Sequence, residues 1–537
     1  MTDVTSAPVL CDAPSTALTA NLRAALVDEQ RAPAIVGGLT LLALLLRLPT
    51  IGRAYWVDEG ISVGIASHRL SALPRLLRLD GSPPLFYAVL HVWLGLFGSS
   101  EVATHTLSLL ISLLLVPLAW WCARTLFGPT AGLAGAALSA ANPFLGWFST
   151  ETRMYPLLCG LSMLGVTLAV RASRRASVRD AAAATLTFIA VIYTHNWGLY
   201  LVVAVAGVLA GRAALQGRWQ QVAAVVAASC VVLVAYLPWL PIFLQQARHT
   251  AAPWAVRPSL GDLFSDPAAT LGGTLAALVA PMLAIGVGVT YHRIRVQERV
   301  DAGLAGGIGL LVLLAGWLVA QFDPSWTSRY LAVALGPLLL GLAGVLGLTR
   351  LGRRVVAATT AILVCWSVIG SLLPDRNARY AKSNVAAVAA AARGILEPGD
   401  LVVVTQTEQV AVSAHYLPSW VHFVTPTGPV TDAHVVDWQD LVARLARADV
   451  CQAIAPSLDA LATGGHVLVI NPLARVGASG TKWSRTVNLE VEAINRFLLD
   501  DSGLAETASV APGIAPRPYS AVTGLIFTKT GGATSCP

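Results

Sequence analysis

The chain is dominated by apolar runs that are long enough to cross a lipid bilayer. About 20 apolar residues span the hydrocarbon core as a helix. The runs that reach or approach this length are residues 33–51, 103–123, 129–147, 155–170, 181–194, 197–211, 221–244, 272–291, 302–320, 331–348 and 355–374. The predicted fold class is a polytopic α-helical membrane protein with about 11 transmembrane helices.

Composition supports this class. Of the 537 residues, 55% are hydrophobic and 12% are charged, whereas soluble domains carry about 25% charged residues. The net charge is +7, and arginines gather in short loops between the apolar runs, as is typical of membrane proteins. No basic patch with interleaved aromatic residues occurs, so the expected partner is the lipid bilayer and no nucleic acid.

The distribution of arginines predicts which loops face the cytoplasm. Arginine-rich loops recur at alternate connections, at residues 171–180, 211–218, 292–299 and 349–354. Such loops stay on the cytoplasmic side. This parity requires that the short apolar segment 83–98, which opens with two prolines, does not cross the membrane. We therefore expect a juxtamembrane helix there and an extracytoplasmic first loop, although that loop's own arginines favour the opposite side.

Three regions follow from these patterns. Residues 1–31 form a polar cytoplasmic tail that we expect to be disordered, and residues 32–374 form the transmembrane domain. Residues 375–537 differ in composition from the transmembrane domain and form a third region. This last region alternates between helix and strand patterns, which predicts a small extracytoplasmic α/β domain without a dinucleotide-binding fingerprint. The patterns are helix, turn and strand over 384–408, helix over 437–450, strand over 466–471 and helix over 490–500.

The predicted topology brings polar residues from distant parts of the chain to the outer membrane face. They are Asp58, Glu59, His68, Asp80, Glu101, His105, Glu151, Arg153, Tyr155, His195, Arg329 and Tyr330. Simpler explanations exist for several: an acid can be solvated among headgroups, an arginine can anchor to lipid phosphate, and a histidine can pack in a core. The Asp58–Glu59 pair is harder to explain, because placing one carboxylate in the membrane costs about 2.5–3.5 kcal/mol.

Carboxylates beside arginines suit one type of chemistry. A carboxylate in a partly dry pocket can act as a general base, because burial raises its pKa toward the working pH. Arginines can bind a phosphate and stabilise it as a leaving group. A histidine can donate to that phosphate or help to hold a metal. This set of groups predicts transfer from a lipid-linked phosphate donor to a hydroxyl acceptor.

An ordered series of short motifs resembles a known superfamily. After the Asp58–Glu59 pair come DGSPPLFY (80–87), SEVATH (100–105), ETRMYPLL (151–158), YTHNWGLYL (193–201) and SRYL (328–331). The series resembles polyprenyl-phosphate-sugar-dependent glycosyltransferases of the C superfamily, in the branch with protein O-mannosyltransferases, the aminoarabinose transferase of lipid A and actinobacterial mannosyltransferase-like proteins. The resemblance covers about residues 33–350, and its specificity lies in the order of the motifs.

The resemblance implies roles for individual residues. Asp58 corresponds to the base that deprotonates the acceptor hydroxyl, and Glu59 to its partner; attack then expels polyprenyl phosphate with inversion. The residues implied in binding the donor phosphate or substrate are Arg329, Tyr330, Arg153, Tyr155, His195, Glu151, Asp80, His68 and His105. Two departures affect the phosphate contacts: Ser82 stands where many relatives have His or Lys, and His105 where many have Arg. His68 or His195 is then the expected replacement.

Several alternatives stay open. A transporter or flippase for a lipid-linked sugar also suits intramembrane charges and broken helices, but the charges gather at one face and no inverted repeat is visible. A non-catalytic scaffold is a third class. The resemblance favours mannose on a polyprenyl phosphate, then a pentose such as arabinose, with a glycolipid, polysaccharide or protein acceptor at the cell membrane. A divalent metal ion is possible, because some members bind one.

The cysteines give one further prediction. Cys451 and Cys536 are the two in the predicted outer domain, where an oxidising compartment favours a disulfide. Sequence alone leaves the alternative that they lie too far apart to meet. The others are Cys11 in the tail and Cys122, Cys159, Cys230 and Cys365 in or beside apolar spans.

Overall fold

The structure is a computed structural model that describes residues 15–250, 252–271, 296–348, 382–473, 480–510, 521–532 and 536. The helices of its membrane part are α1 (Ser15–Arg47), α2 (Val57–Ala66), α3 (Leu73–Asp80), α4 (Leu85–Phe97), α5 (Glu101–Phe127), α6 (Pro129–Ala141), α7 (Pro143–Phe148), α8 (Tyr155–Arg175), α9 (Val178–Thr194), α10 (Gly198–Leu215), α11 (Trp219–Tyr236), α12 (Leu240–His249), α13 (Asp262–Leu271), α14 (Val296–Ala320) and α15 (Ala332–Leu348).

Long apolar helices confirm the multi-pass membrane architecture. Among the described residues, 7 helical segments are long and apolar enough to cross a membrane: Gln30–Thr50, Glu101–Phe127, Tyr155–Arg175, Gly198–Leu215, Trp219–Tyr236, Ala302–Ala320 and Ser328–Gly347. Each coincides with a predicted span. The predicted spans 272–291 and 355–374 lie outside the described residues, so a total of eleven remains a prediction.

Two predicted spans differ from the structure. The single span over 129–147 is wrong, because the chain breaks at Asn142 between α6 and α7. Pro143 lacks the backbone N–H that would continue α6, and the Asn142 side chain caps α7 by accepting the Leu145 N–H at 2.9 Å. The span over 221–244 is also divided, into α11 and α12. The predicted span 181–194 is α9, whose 17 residues are near the lower limit for crossing.

The predicted tail and the short segment 83–98 both contain helix. Helix α1 begins at Ser15 within the predicted tail 1–31, in a segment rich in the helix formers Ala and Leu, and residues 1–14 lie outside the described residues. Segment 83–98 contains α4, whose 13 residues rise about 20 Å, less than the roughly 30 Å of a bilayer core. The predicted short helix is confirmed, and its position against the membrane remains a prediction.

The C-terminal region contains a mixed sheet flanked by helices, which confirms the predicted α/β class. Its elements are α16 (Val385–Ala392), β1 (Leu401–Val404), α17 (Val410–Tyr416), β2 (His422–Thr425), β3 (Gly428–Pro429), α18 (Leu441–Leu445), α19 (Val450–Ala460), β4 (His466–Pro472), α20 (Lys482–Asp500), β5 (Leu504–Val510) and β6 (Val522–Lys529). The strand order is β3-β2-β1-β4-β6-β5. Strand β1 is parallel to β2 and β4, and the remaining pairs are antiparallel.

Some elements of this domain agree with the predictions from the sequence. The predicted strands coincide with β1 and β4, and the helix predicted over 490–500 is the second half of α20. A continuous helix over 437–450 is wrong, because α18 ends at Leu445 and α19 begins at Val450. Asp449 accepts the Gln452 N–H and thereby caps α19 as a separate helix.

The C-terminal domain packs directly on the first loop. Helix α2 meets α17 so closely that a Cβ on Gly60 would lie 2.6 Å from the Cα of Val412. The Tyr416 hydroxyl accepts the Tyr55 N–H at 2.7 Å and donates to Glu101 at 2.7 Å. Trp438 and Trp483 are buried in the same apolar cluster as residues of the membrane helices. This packing encloses the ends of several membrane helices, where the candidate site lies.

Candidate active site

The paired carboxylates lie in the first turn of α2, where the helix dipole favours negative charge. Trp56 has an extended backbone immediately before this turn, which orients the start of the helix. Successive side chains on an α-helix point about 100° apart. Asp58 and Glu59 therefore face different surroundings, and the structure gives them different partners.

Glu59 is fully buried and held by several donors. Lys382 Nζ lies 2.8 Å from each carboxylate oxygen. His105 Nε2 lies 2.6 Å from Oε1, and the Thr152 N–H donates to the same oxygen at 2.8 Å. Glu59 thus joins the first loop to α5, to the 150–152 turn and to the start of the C-terminal domain.

These contacts decide the role of Glu59. Burial alone would raise its pKa, but Lys382 and His105 together outweigh burial and lower the pKa to about 2. A carboxylate that is ionised and bonded through both oxygens is a poor proton acceptor. The geometry therefore supports a positioning role for Glu59 instead of the catalytic role implied by the sequence.

Asp58 faces two arginines. Its Oδ2 lies 3.4 Å from Arg329 Nη1 and 3.9 Å from Arg153 Nε. The Asp58 side chain is 17% exposed, so the pair of contacts is partly shielded from water. Among the described residues, Oδ2 has no hydrogen-bond partner. Two guanidinium groups gathered at one carboxylate suit an anionic ligand.

Arg153 lies in the turn that precedes α8 and is held by contacts with the first loop. Its Nη1 donates to Ser62 Oγ at 2.8 Å and to the Tyr87 hydroxyl at 3.4 Å. Tyr87 in turn donates to Asp80 at 3.0 Å. Burial raises the pKa of Asp80, and the positive charge of Arg153 opposes that rise. Asp80 therefore belongs to the site through Tyr87.

Aromatic rings surround the second arginine. Arg329 Cζ lies 5.7 Å from the centre of the Trp56 ring and 5.8 Å from that of Tyr330. The His195 ring lies 4.7 Å from Tyr330 and 6.4 Å from Tyr155. The structure thus brings Arg329, Tyr330, Arg153, Tyr155 and His195 together around Asp58.

His195 is a neutral hydrogen-bond donor in this environment. Its Nδ1 accepts the Trp197 N–H at 3.1 Å, so the ring proton is on Nε2. Burial and the nearby Arg153 and Arg329 lower the pKa of His195 to about 3. A neutral imidazole can donate to a phosphate oxygen without adding charge.

Two histidines proposed from the sequence have other partners. His68 uses Nδ1 on the Gly64 carbonyl and Nε2 on Asp432. His105 uses Nδ1 on the Ile51 carbonyl and Nε2 on Glu59. Because both ring nitrogens of each are occupied, the structure does not support either histidine as a replacement phosphate contact.

Glu151 has a hydrogen-bond partner of its own. Its Oε1 accepts the Trp147 indole N–H at 2.7 Å. Burial raises the pKa of Glu151 to about 7, although Lys382 lowers it. Its position beside Trp147 and the positive charge of Lys382 favour a supporting role for Glu151.

The residues that the C-terminal region contributes to the site were not predicted from the sequence. Lys382 is one of only three lysines in the chain, a signal that composition could have given.

A cavity of about 280 Å³ also opens beside Asp58. Its lining combines both parts of the chain and consists of Trp56, Val57, Asp58, Trp254, Thr327, Arg329, Gln406, Glu408, Trp438 and Trp483.

The possible divalent metal receives no ligand set from this geometry. Within the described ranges, no group of three or more His, Cys, Asp or Glu side chains could hold a metal ion. The chemistry that the cluster offers is therefore that of a partly shielded carboxylate beside two guanidinium groups.

The fold and site define a multi-pass membrane protein whose polar cluster is covered by an α/β domain. Neither a protein-family model nor a curated protein matches the chain. Solved structures do match: ArnT from Cupriavidus metallidurans in the apo state has a TM-score of 0.61 and 14% identity, over 94% of this chain and 99% of that chain. The same protein bound to undecaprenyl phosphate gives 0.60 and 15%, with the same coverage.

This similarity concerns the whole architecture. The match extends through both the membrane part and the C-terminal domain of this chain, so the chain shares the fold of ArnT.

Proposed function

We propose that this protein is an integral-membrane inverting glycosyltransferase that uses a polyprenyl-phosphate-linked sugar. The acceptor is a hydroxyl group, and Asp58 is the general base. The observation that carries the proposal is the position of Asp58, 3.4 Å from Arg329 and 3.9 Å from Arg153, on the wall of a cavity. A structure with the same fold, ArnT, binds undecaprenyl phosphate.

The reaction divides among these groups. Asp58 takes the proton of the acceptor hydroxyl as its oxygen attacks the anomeric carbon of the donor. The bond between that carbon and the phosphate oxygen breaks, and polyprenyl phosphate leaves with the electron pair. Arg329 and Arg153 stabilise the added negative charge on the phosphate, because charge-assisted bonds are strong in a site shielded from water. His195 donates from Nε2 to the same phosphate.

The arginine contacts also link donor binding to Asp58. Before the donor binds, Asp58 lies opposite Arg329 and Arg153. A bound phosphate competes for the same guanidinium groups. The donor thereby frees the Asp58 carboxylate to meet the acceptor hydroxyl.

The proposed location is the extracytoplasmic face of the cell membrane. The support is the alternation of arginine-rich loops, which places the first loop and the C-terminal domain outside. A reporter fused after residue 400 should be extracytoplasmic, and one within 292–299 cytoplasmic. Both reporters on the same side would contradict the orientation.

The sugar is proposed from the family resemblance. Mannose is favoured, with a pentose such as arabinose next, and the acceptor is a glycan, glycolipid or protein hydroxyl. The described contacts around Asp58 involve the phosphate-binding arginines more than any sugar-specific group, so they support the reaction type more strongly than the sugar.

The test is a turnover assay with purified protein in lipid vesicles. Vesicles contain radiolabelled undecaprenyl-phosphate mannose or arabinose, and membrane glycans and glycolipids are supplied as acceptors. We expect label in the acceptor and an equal amount of free undecaprenyl phosphate. A lipid-linked sugar flippase would instead move the intact donor between leaflets without releasing undecaprenyl phosphate, and that result would overturn the proposal.

A further inference from the structure

The cavity beside Asp58 has one wall from the membrane part and one from the C-terminal domain. Trp56, Asp58 and Arg329 lie on the first wall, and Glu408 and Trp483 lie on the second. Arg329, the proposed donor contact that lines the cavity, is on the first wall. The second wall therefore has no part in the phosphate chemistry described above, and its composition requires another explanation.

Aromatic side chains are concentrated on this cavity. Trp56, Trp254, Trp438 and Trp483 all line it, and the rings of Trp254 and Trp438 meet edge to face with centres 4.8 Å apart. Trp438 and Trp483 are each only 7% exposed. Rigid indole planes around a small cavity offer flat apolar surfaces on which a ligand ring can stack.

Some residues that line the cavity also carry polar groups without protein partners. Among the described residues, the indole N–H groups of Trp254 and Trp483 and the side-chain oxygen of Gln406 have no hydrogen-bond partner, although they are buried. The Gln406 amide donates to Glu408 at 2.7 Å, which fixes the orientation of that buried carboxylate. Buried polar groups without partners cost free energy, so a ligand that bonds to them would be stabilised.

We propose that this cavity is the acceptor subsite and that it binds the terminal sugar unit of a saccharide acceptor. The sugar ring stacks on the indole planes, and its hydroxyl groups bond to the Trp254 and Trp483 N–H groups, Gln406 and Glu408. One hydroxyl then faces Asp58, which lines the same cavity. This inference rests on the proposed glycosyltransferase function and names the class of its acceptor.

A saccharide fits these observations better than a peptide or a lipid chain. A sugar ring has apolar C–H faces and a rim of hydroxyls that both donate and accept, which matches indole planes with N–H donors and carbonyl or carboxylate acceptors. The volume of about 280 Å³ is near the lower end for ligand pockets, about 300 Å³, and suits one ring. A lipid chain would leave the Gln406 side-chain oxygen and the Trp254 and Trp483 N–H groups buried without partners.

The test uses full-length protein in lipid nanodiscs and measures binding, without turnover. The probes are soluble manno-, arabino-, galacto- and gluco-oligosaccharides and a Ser/Thr-containing peptide, each followed by saturation-transfer NMR. We expect at least one oligosaccharide to bind through its terminal unit. Trp483→Ala and Glu408→Gln should each weaken that binding about tenfold, and Trp483→Phe, which keeps a ring, should weaken it less.

The control variant is Trp219→Ala, because Trp219 is exposed on α11, and oligosaccharide binding should be unchanged. Binding of undecaprenyl phosphate, measured on the same samples by native mass spectrometry, should be retained in the Trp483 and Glu408 variants.

Binding of undecaprenyl phosphate without any oligosaccharide would overturn the subsite and leave the proposed function standing. Binding of the peptide in place of the oligosaccharides would also overturn the subsite. Oligosaccharide binding without undecaprenyl phosphate would support a saccharide site in this cavity and overturn its role as an acceptor subsite together with the proposed function.

Discussion

Lys382 and Glu59 form a buried ion pair between residues 323 positions apart in the sequence. The Lys382 ammonium also donates to the Thr150 carbonyl at 2.7 Å. Through these bonds the start of the C-terminal domain is fixed to the turn that carries Arg153. The carboxylate next to the proposed base thus positions the site and joins it to the domain that completes the cavity.

Breaking this ion pair from one side should destabilise the protein strongly. Glu59→Gln or Lys382→Met alone leaves a buried charge without its partner, which costs about 3–5 kcal/mol. The double variant should recover much of that loss, because neither charge remains. Thermal unfolding in nanodiscs measures the difference. Asp440→Asn is the control: its ion pair with His249 is exposed, so a change below about 1 kcal/mol is expected. Single variants with unaltered stability would contradict the role of the pair.

The same contacts predict an acid-sensitive contribution to stability. The pKa of Glu59 falls from its ordinary value of 4.5 to about 2 in the folded protein. A carboxyl group with a lowered folded-state pKa binds protons more readily when unfolded, so its contribution is complete above about pH 4.5 and is lost as pH falls toward about 2. Unfolding temperatures measured across this interval should fall less in Glu59→Gln than in the wild type. Parallel curves would contradict the assignment.

Asp58→Asn should abolish transfer and preserve donor binding. The amide has the shape of the carboxylate but cannot take the acceptor proton, and loss of a general base typically costs about 10²–10⁴-fold in rate. Removing the anion opposite Arg329 and Arg153 should leave undecaprenyl phosphate affinity unchanged or higher. The turnover assay and native mass spectrometry provide the two readouts. Glu59→Gln should retain more activity per folded molecule, and near-normal turnover in Asp58→Asn would exclude Asp58 as the base.

The sequence predicted the cluster around Asp58 because its members end or begin apolar runs. Membrane topology alone brings Arg153, His195 and Arg329 to one face, and the structure places them together. The roles of neighbouring residues could not be predicted, because each role depends on the direction in which the side chain points. His105 was assigned to the phosphate, but it bonds to Glu59, since the two face each other across α2 and α5.

The contribution of the C-terminal domain could not be predicted. Trp438 and Trp483 lie outside any motif, and they reach the cavity only because α2 packs closely on α17 at Gly60. Such docking depends on three-dimensional complementarity between distant segments. By contrast, the buried strands β1 and β4 were located, because a short apolar run bounded by turn residues is a local signal.

Arg329→Ala should weaken donor binding more than Arg153→Ala. Loss of a charge-assisted bond to a buried phosphate costs about 1.5–3 kcal/mol, or roughly 10- to 150-fold. Arg153 already donates to Ser62 and Tyr87, so part of its role is structural. Native mass spectrometry with undecaprenyl phosphate measures the affinities, and Arg218→Ala, between α10 and α11, is the exposed control. Unchanged affinity in both site variants would place the phosphate elsewhere and make His195 the next contact to test.

The structure joins Cys451 and Cys536 in a disulfide with their Cα atoms 5.7 Å apart, so the predicted pairing is confirmed. The bridge fixes the C-terminal end of the chain to α19 and closes a loop with a sequence separation of 85. In the chain-entropy model, a loop of this length contributes on the order of 4–5 kcal/mol to stability. Cys451→Ser with Cys536→Ser should therefore lower the unfolding temperature of the C-terminal domain.

Mass analysis connects this bridge to the proposed outer location. Intact protein alkylated under non-reducing conditions should lack label at Cys451 and Cys536, because an extracytoplasmic compartment is oxidising. Cys230 is an exposed free cysteine on α11, and Cys230→Ser serves as the control that leaves the bridge intact. After reduction, two further labels should appear at Cys451 and Cys536. Alkylation of both residues without reduction would contradict the bridge and weaken the case that this domain lies outside.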